Sequence, residues 1–148
     1  MSPLQQDRRS DNKLSFAGAI NLSTTGAMNR LATWADKEFK MAIANIPPEA
    51  VEATPFKALL TNDALIKSQN LIRKRDGTFE FHWPPALASQ LHNGATFKNG
   101  TRTTPFPWTL PVIDKLPMMF SEFFAVEFNY YSPMIGKASV SVAQRVKP

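Results

Sequence analysis

The chain has 148 residues, 43% of them hydrophobic, which is the size of one domain and supplies enough apolar material for a core. It contains no cysteine, which excludes disulfides, thiolate catalysis and thiolate metal sites and fits assembly in a reducing cytoplasm. A formal charge of +5 with a pI near 9.7 favours an acidic counterpart, either nucleic acid or an acidic protein surface. No run approaches the ~18 apolar residues of a membrane span, so no membrane contact is expected.

Residues 1–13 are almost all polar and lack periodicity, so they read as a flexible N-terminal arm. Arg8 and Arg9 precede the apolar run Leu14 to Ile20, a faint twin-arginine pattern. That run stops at Asn21, however, and Asp7 and Asp11 dilute the positive region, so export is not expected. Leu14 to Leu22 reads as a short strand or extended pad. Ser23-Thr24-Thr25 then offers capping hydroxyls to a helix whose apolar stripe runs through Met28, Leu31, Trp34 or Ala35, Phe39, Ala42 or Ile43, and Ile46. Asp36 and Lys40 stand at the favourable i,i+4 offset, and Pro47-Pro48 ends the helix.

A helix starting at Pro48 is expected to be cut short by Pro55. A further start at Thr61-Asn62-Asp63 leads into Ala64 to Ile72, with Arg73-Lys74-Arg75 at its negative end and Asp76-Gly77 as the closing turn. Thr78 to Trp83 alternates polar residues with Phe79, Phe81 and Trp83, the pattern of a strand with one buried face, and Pro84-Pro85 ends it. Residues 95–104 read as a hairpin turning at Asn99-Gly100. Pro111 and Pro117 mark two helical starts, followed by an apolar face from Leu116 through Phe120, Phe123 or Phe124 and Phe128, expected to be mostly core. Residues 134–148 form an extended tail in which Val140 and Val142 alternate with serines. The expected architecture is α+β: a single domain over residues 14–133, with two or three helices packed on a short, mainly antiparallel sheet, extended termini and a projecting hairpin.

Chemistry is sparse. His82 and His92 are the only histidines, and no carboxylates stand at ligand spacing around them, so no metal is expected. No nucleophile elbow is present, and Gly94 to Gly100 lacks the Lys-Ser/Thr pair of a phosphate loop. We therefore expect no catalytic residue, no cofactor and no enzyme. A small basic nucleic-acid-binding module is the alternative class, with Arg73-Lys74-Arg75 as its basic cluster.

The stretch from Leu87 to Phe120 carries the most distinctive pattern. Gly94 and Gly100 sit where positive φ is expected, and Pro105 and Pro107 stiffen the segment that presents Phe106 and Trp108 as a docking element. Leu87-Ala88, Leu91-His92-Asn93-Gly94 and Pro105-Phe106-Pro107-Trp108-Thr109-Leu110 resemble the tail-completion and head-to-tail joining proteins of tailed bacteriophages, with Phe106 standing where that family carries Arg. The resemblance implies a virion structural protein assembled in the host cytoplasm. It would form a homo-oligomeric, hexameric ring at the neck or tail end, contacting neighbouring connector, neck or tail proteins and packaged DNA in its lumen. The intersubunit contacts expected on this reading are Arg8, Arg9, Phe97, Lys98, Asn99, Gly100, Arg102, Phe106, Trp108, Val140 and Val142.

Overall fold

The computed structural model describes residues 13–47, 62–94, 96, 98, 100, 102 and 105–137. The expected helix at Pro48 lies outside these residues, as does the alternation through Val140 and Val142. In order, the elements are α1 (Phe16–Ala44), α2 (Asn62–Ser68), β1 (Asn70–Arg73), β2 (Phe79–His82), α3 (Pro85–Asn93), α4 (Leu110–Tyr131) and a 3-10 turn (Ser132–Met134). The fold is a small, helix-rich α+β structure with a two-stranded antiparallel sheet. Among the described residues no helix is long and apolar enough to cross a membrane.

Residues 32–116 cluster as one compact unit, and residues 1–31 with 117–148 as another. Helices α1 and α4 each contribute one stretch to each unit.

In the 32–116 unit, α1 buries Ala35, Phe39 and Ile43, with Ile46 just beyond it, at the expected helical spacing. These pack with Leu65, Leu91, Trp108 and Val112. The Asp36–Lys40 pair forms at 3.2 Å. Helix α2 stops at Ser68, four residues short of the expected end. Ser68 Oγ turns back to the Leu65 carbonyl at 2.7 Å, and Gln69 Nε2 donates to the Asp36 carbonyl and carboxylate at 3.0 and 2.8 Å. The chain then enters β1, which pairs with β2 in the register Asn70↔His82 to Arg73↔Phe79. Arg73-Lys74-Arg75 therefore lies on a strand end and a hairpin turn, where a helix dipole cannot account for it. Asp76-Gly77 turns this hairpin: Asp76 Oδ1 accepts from the Thr78 amide and hydroxyl, and Gly77 has φ 90°. Strand β2 forms where expected, but Phe79, Glu80 and Phe81 are alike in burial; Phe81 and then Trp83 stand edge-on to Phe39 at 4.8 and 5.3 Å.

In the other unit, α1 begins at Phe16, well before Ser23. Ser15 is the cap, its Oγ accepting the Gly18 amide at 2.9 Å. Ser23, Thr24 and Thr25 donate their hydroxyls to the carbonyls of Ala19, Ile20 and Asn21, so they sit inside the helix without breaking it. Of the expected strand or pad from Leu14 to Leu22, Leu14 alone is strand-like, in a parallel bridge with Ile135. Helix α4 runs unbroken through Pro117, so the two expected starts are one helix. Phe120, Phe123, Phe124 and Phe128 are half-buried, short of the core burial expected of them, while Tyr131 is fully buried with Leu14 and Ala19. Glu127 is also buried, its Oε1 receiving Arg30 Nε at 2.6 Å. Its carboxylate fills the space over Gly26, where an added Cβ would lie 2.7 Å from Glu127 Cδ.

Candidate functional site

The residues singled out from Leu87 to Leu110 come together within the 32–116 unit. Helix α3 starts on Pro85 and ends at Gly94, whose φ of 77° lets the chain reverse. The stiff Pro105 to Pro107 segment then returns to it: the Phe106 amide donates to the Leu91 carbonyl at 3.0 Å. This carries Trp108 inward. Its indole is 3% exposed and meets Trp83 at 4.6 Å, His92 at 5.8 Å and Phe39 at 6.3 Å, all edge-to-face. Trp108 is thus a core residue of this unit, its apolar area packed against Phe39 and Trp83. Phe106 is half-buried against the same core.

Beside this core, Ser89, His92 and Asn93 of α3 face Trp83, Trp108 and Thr109 across an open groove of about 290 Å³. His92 Nε2 lies 2.6 Å from Thr109 Oγ1, and His92 Nδ1 lies 2.8 Å from Asn93 Oδ1. With Asn93 accepting from Nδ1–H, Nε2 accepts from the Thr109 hydroxyl, which is the order of nucleophile, base and orienting group. Next to it, the Leu110 amide is bound to the Pro107 carbonyl at 3.1 Å, and Pro111 has no N–H. What the contact does achieve is to tie the end of α3 to the start of α4.

The hairpin side chains form a second polar group. Lys74 is ion-paired with Glu80, which also meets His82 Nε2 at 2.8 Å. Hydrogen bonds from Lys74 and His82 hold the Glu80 carboxyl below its ordinary range, those from Thr78 do the same for Asp76, and Glu80 raises Lys74. Among the described residues no three His, Asp or Glu side chains converge as a metal site.

Of the other expected contacts, Lys98, Gly100 and Arg102 are exposed, Gly100 has φ 86°, and Thr96 bridges Arg102 in antiparallel fashion. Arg8, Arg9, Phe97, Asn99, Val140 and Val142 lie outside the described residues. The sequence reading missed the Arg30–Glu127 pair, for which a glycine inside a helix at position 26 was the available signal. In comparisons with known proteins, the chain matches no family model, no curated protein and no solved structure.

Proposed function

We propose that this chain is a structural subunit of a tailed bacteriophage that forms a ring at the head–tail junction or tail end and joins head to tail. What supports the reading is the way the residues carrying the family resemblance brace one another. Leu91 and His92 on α3 hold Phe106, Trp108 and Thr109 through a backbone hydrogen bond, a ring contact and the His92–Thr109 bond. The brace closes the base of the 95–104 connection, whose Lys98, Gly100 and Arg102 are exposed. A loop clamped at its base is suited to reach a neighbouring subunit or ring, and function then comes from geometry without turnover. Six copies around a lumen would join connector, neck or tail proteins above and below and pass packaged DNA.

The test is native mass spectrometry and negative-stain microscopy of the full chain, alone and with purified heads and tails. The expected result is a closed hexamer that binds one of them; a monomer that binds neither would overturn the reading. A second reading, a nucleic-acid module, is favoured by one observation: Arg73-Lys74-Arg75 occupies an exposed hairpin. Two of its three cations are engaged, Arg73 with Thr33 at 3.2 Å and Lys74 with Glu80. Binding to duplex DNA that survives physiological salt and disappears when all three become Gln would favour it.

A further inference from the structure

The formal charge of +5 is not spread evenly over the chain. Residues 1–13 and 137–148 carry Arg8, Arg9, Lys13, Lys137, Arg145 and Lys147 against only Asp7 and Asp11, whereas in residues 14–136 the remaining 11 cations face 10 acids. The fold joins the two basic ends. Leu14, which is buried, bridges Ile135; its amide donates to the Lys137 carbonyl at 3.0 Å and its carbonyl accepts from the Gly136 amide at 2.8 Å. Lys13 and Lys137, both exposed, therefore stand side by side, and residues 1–12 and 138–148 are attached to the fold at this one junction. Between Leu14 and Leu31 and between Pro117 and Gly136 the only acids are Glu122 and Glu127, and Glu127 is buried against Arg30. This unit thus offers an outside anion little competition.

We propose that this junction is a nucleic-acid contact, holding the phosphate backbone without reading its sequence. Composition selects the occupant. Every phenylalanine, tyrosine and tryptophan lies between residues 14 and 136, so the terminal segments lack the aromatic anchors that carry most of the affinity at protein interfaces. What accompanies their cations is serine, glutamine and asparagine, the side chains that with lysine and arginine make most contacts to phosphate. The Arg73-Lys74-Arg75 hairpin is the poorer site, because Arg73 is engaged with Thr33 and Lys74 with Glu80. The proposal goes beyond the ring reading and does not depend on it.

The test measures binding of the full chain to a fluorescent DNA duplex by anisotropy across salt concentration, with native mass spectra of the same samples. One variant combines Arg9→Gln, Lys13→Gln and Lys137→Gln. Its control combines Lys37→Gln, Lys67→Gln and Lys115→Gln, which removes the same three charges from exposed positions in the other unit. The junction variant is expected to bind roughly tenfold more weakly or worse and to lower the salt slope by about 2–3, at ~0.9 per phosphate contact, while the control weakens less than about threefold. A duplex of different sequence should bind equally well. Equal weakening in both variants would overturn the junction, as would a larger loss when Arg73, Lys74 and Arg75 become Gln. Tighter binding of a poly-glutamate peptide than of DNA would overturn the nucleic-acid assignment in favour of an acidic protein. A monomer that binds DNA through the junction would uphold the proposal and remove the ring; a hexamer indifferent to DNA at low salt would overturn the proposal and leave the ring standing.

Discussion

The two units solve the problem of burying apolar surface differently. In residues 32–116 the aromatic rings point inward: Phe39 collects Phe81, Trp83 and Trp108 edge-to-face, and the charges of Asp36, Lys40, Lys74 and Glu80 are paired at the surface. In residues 14–31 and 117–137 the buried positions are small Ala19, Ser23, Gly26 and Ala27 together with Leu14, Leu31, Glu127 and Tyr131, and the phenylalanines of α4 are only half-buried. Both units leave large apolar side chains exposed, Met41, Ile72, Leu110 and Ile113 in the first and Phe16, Met118, Val126 and Tyr130 in the second, but the first gathers its rings around one buried side chain, Phe39. Local aromatic content therefore does not decide what is core; distant neighbours do.

The largest way to break this contrast is Trp108→Ala. Truncating a buried tryptophan typically costs about 3–5 kcal/mol, so the denaturant midpoint should collapse. Trp108 Nε1 has no hydrogen-bond partner among the described residues, so Trp108→Phe should cost clearly less. In the other unit, Arg30→Met leaves the buried Glu127 carboxylate without its cation. Breaking a fully buried pair costs about 3–5 kcal/mol, and because the Arg30 side chain is 38% exposed we expect roughly 2 kcal/mol in urea unfolding. Gly26→Ala, whose new methyl would press on the same carboxylate, should cost about 1–3 kcal/mol by overpacking.

A smaller effect is expected at the brace. Thr109→Val removes the hydroxyl beside His92 and should cost roughly 1 kcal/mol, the worth of one hydrogen bond, without changing the mass of the assembled species. The smallest lies in the hairpin. Glu80 and Asp76 have carboxyls depressed below their ordinary values of 4.5 and 3.8, so their contribution is present above those values and is lost as pH falls through the depressed ones. Acid titration of stability should therefore flatten slightly below pH 4.5 in the Glu80→Gln, Asp76→Asn double variant; an unchanged profile would show that these exposed contacts contribute nothing.

Much of the 32–116 unit was legible from local pattern. The 3.6-residue stripe ending in Phe39, Ile43 and Ile46 reports one buried face, the alternation after Thr78 places Phe81 and Trp83 against the core, and positive φ at Gly94 and Gly100 followed from their turn context. Strand β1 was not legible, because Asn70 to Arg73 continues an apolar spacing that suits a helix equally well, and only pairing with β2 decides it. Ser23 to Thr25 looked like caps because the same hydroxyls serve a helix end or its interior. Proline-flanked Trp108 looked like a docking element because its burial depends on Phe39, sixty-nine positions away. Arg30 and Glu127 are separated by 97 residues, beyond the reach of any local rule.

The most direct measurement of the difference between the units is hydrogen exchange on the full chain carrying Phe39→Leu. The account predicts that amides of α3 and the β1–β2 hairpin lose protection, because their rings gather on Phe39, while those of residues 118–131 keep theirs. Equal loss of protection in both units would contradict it.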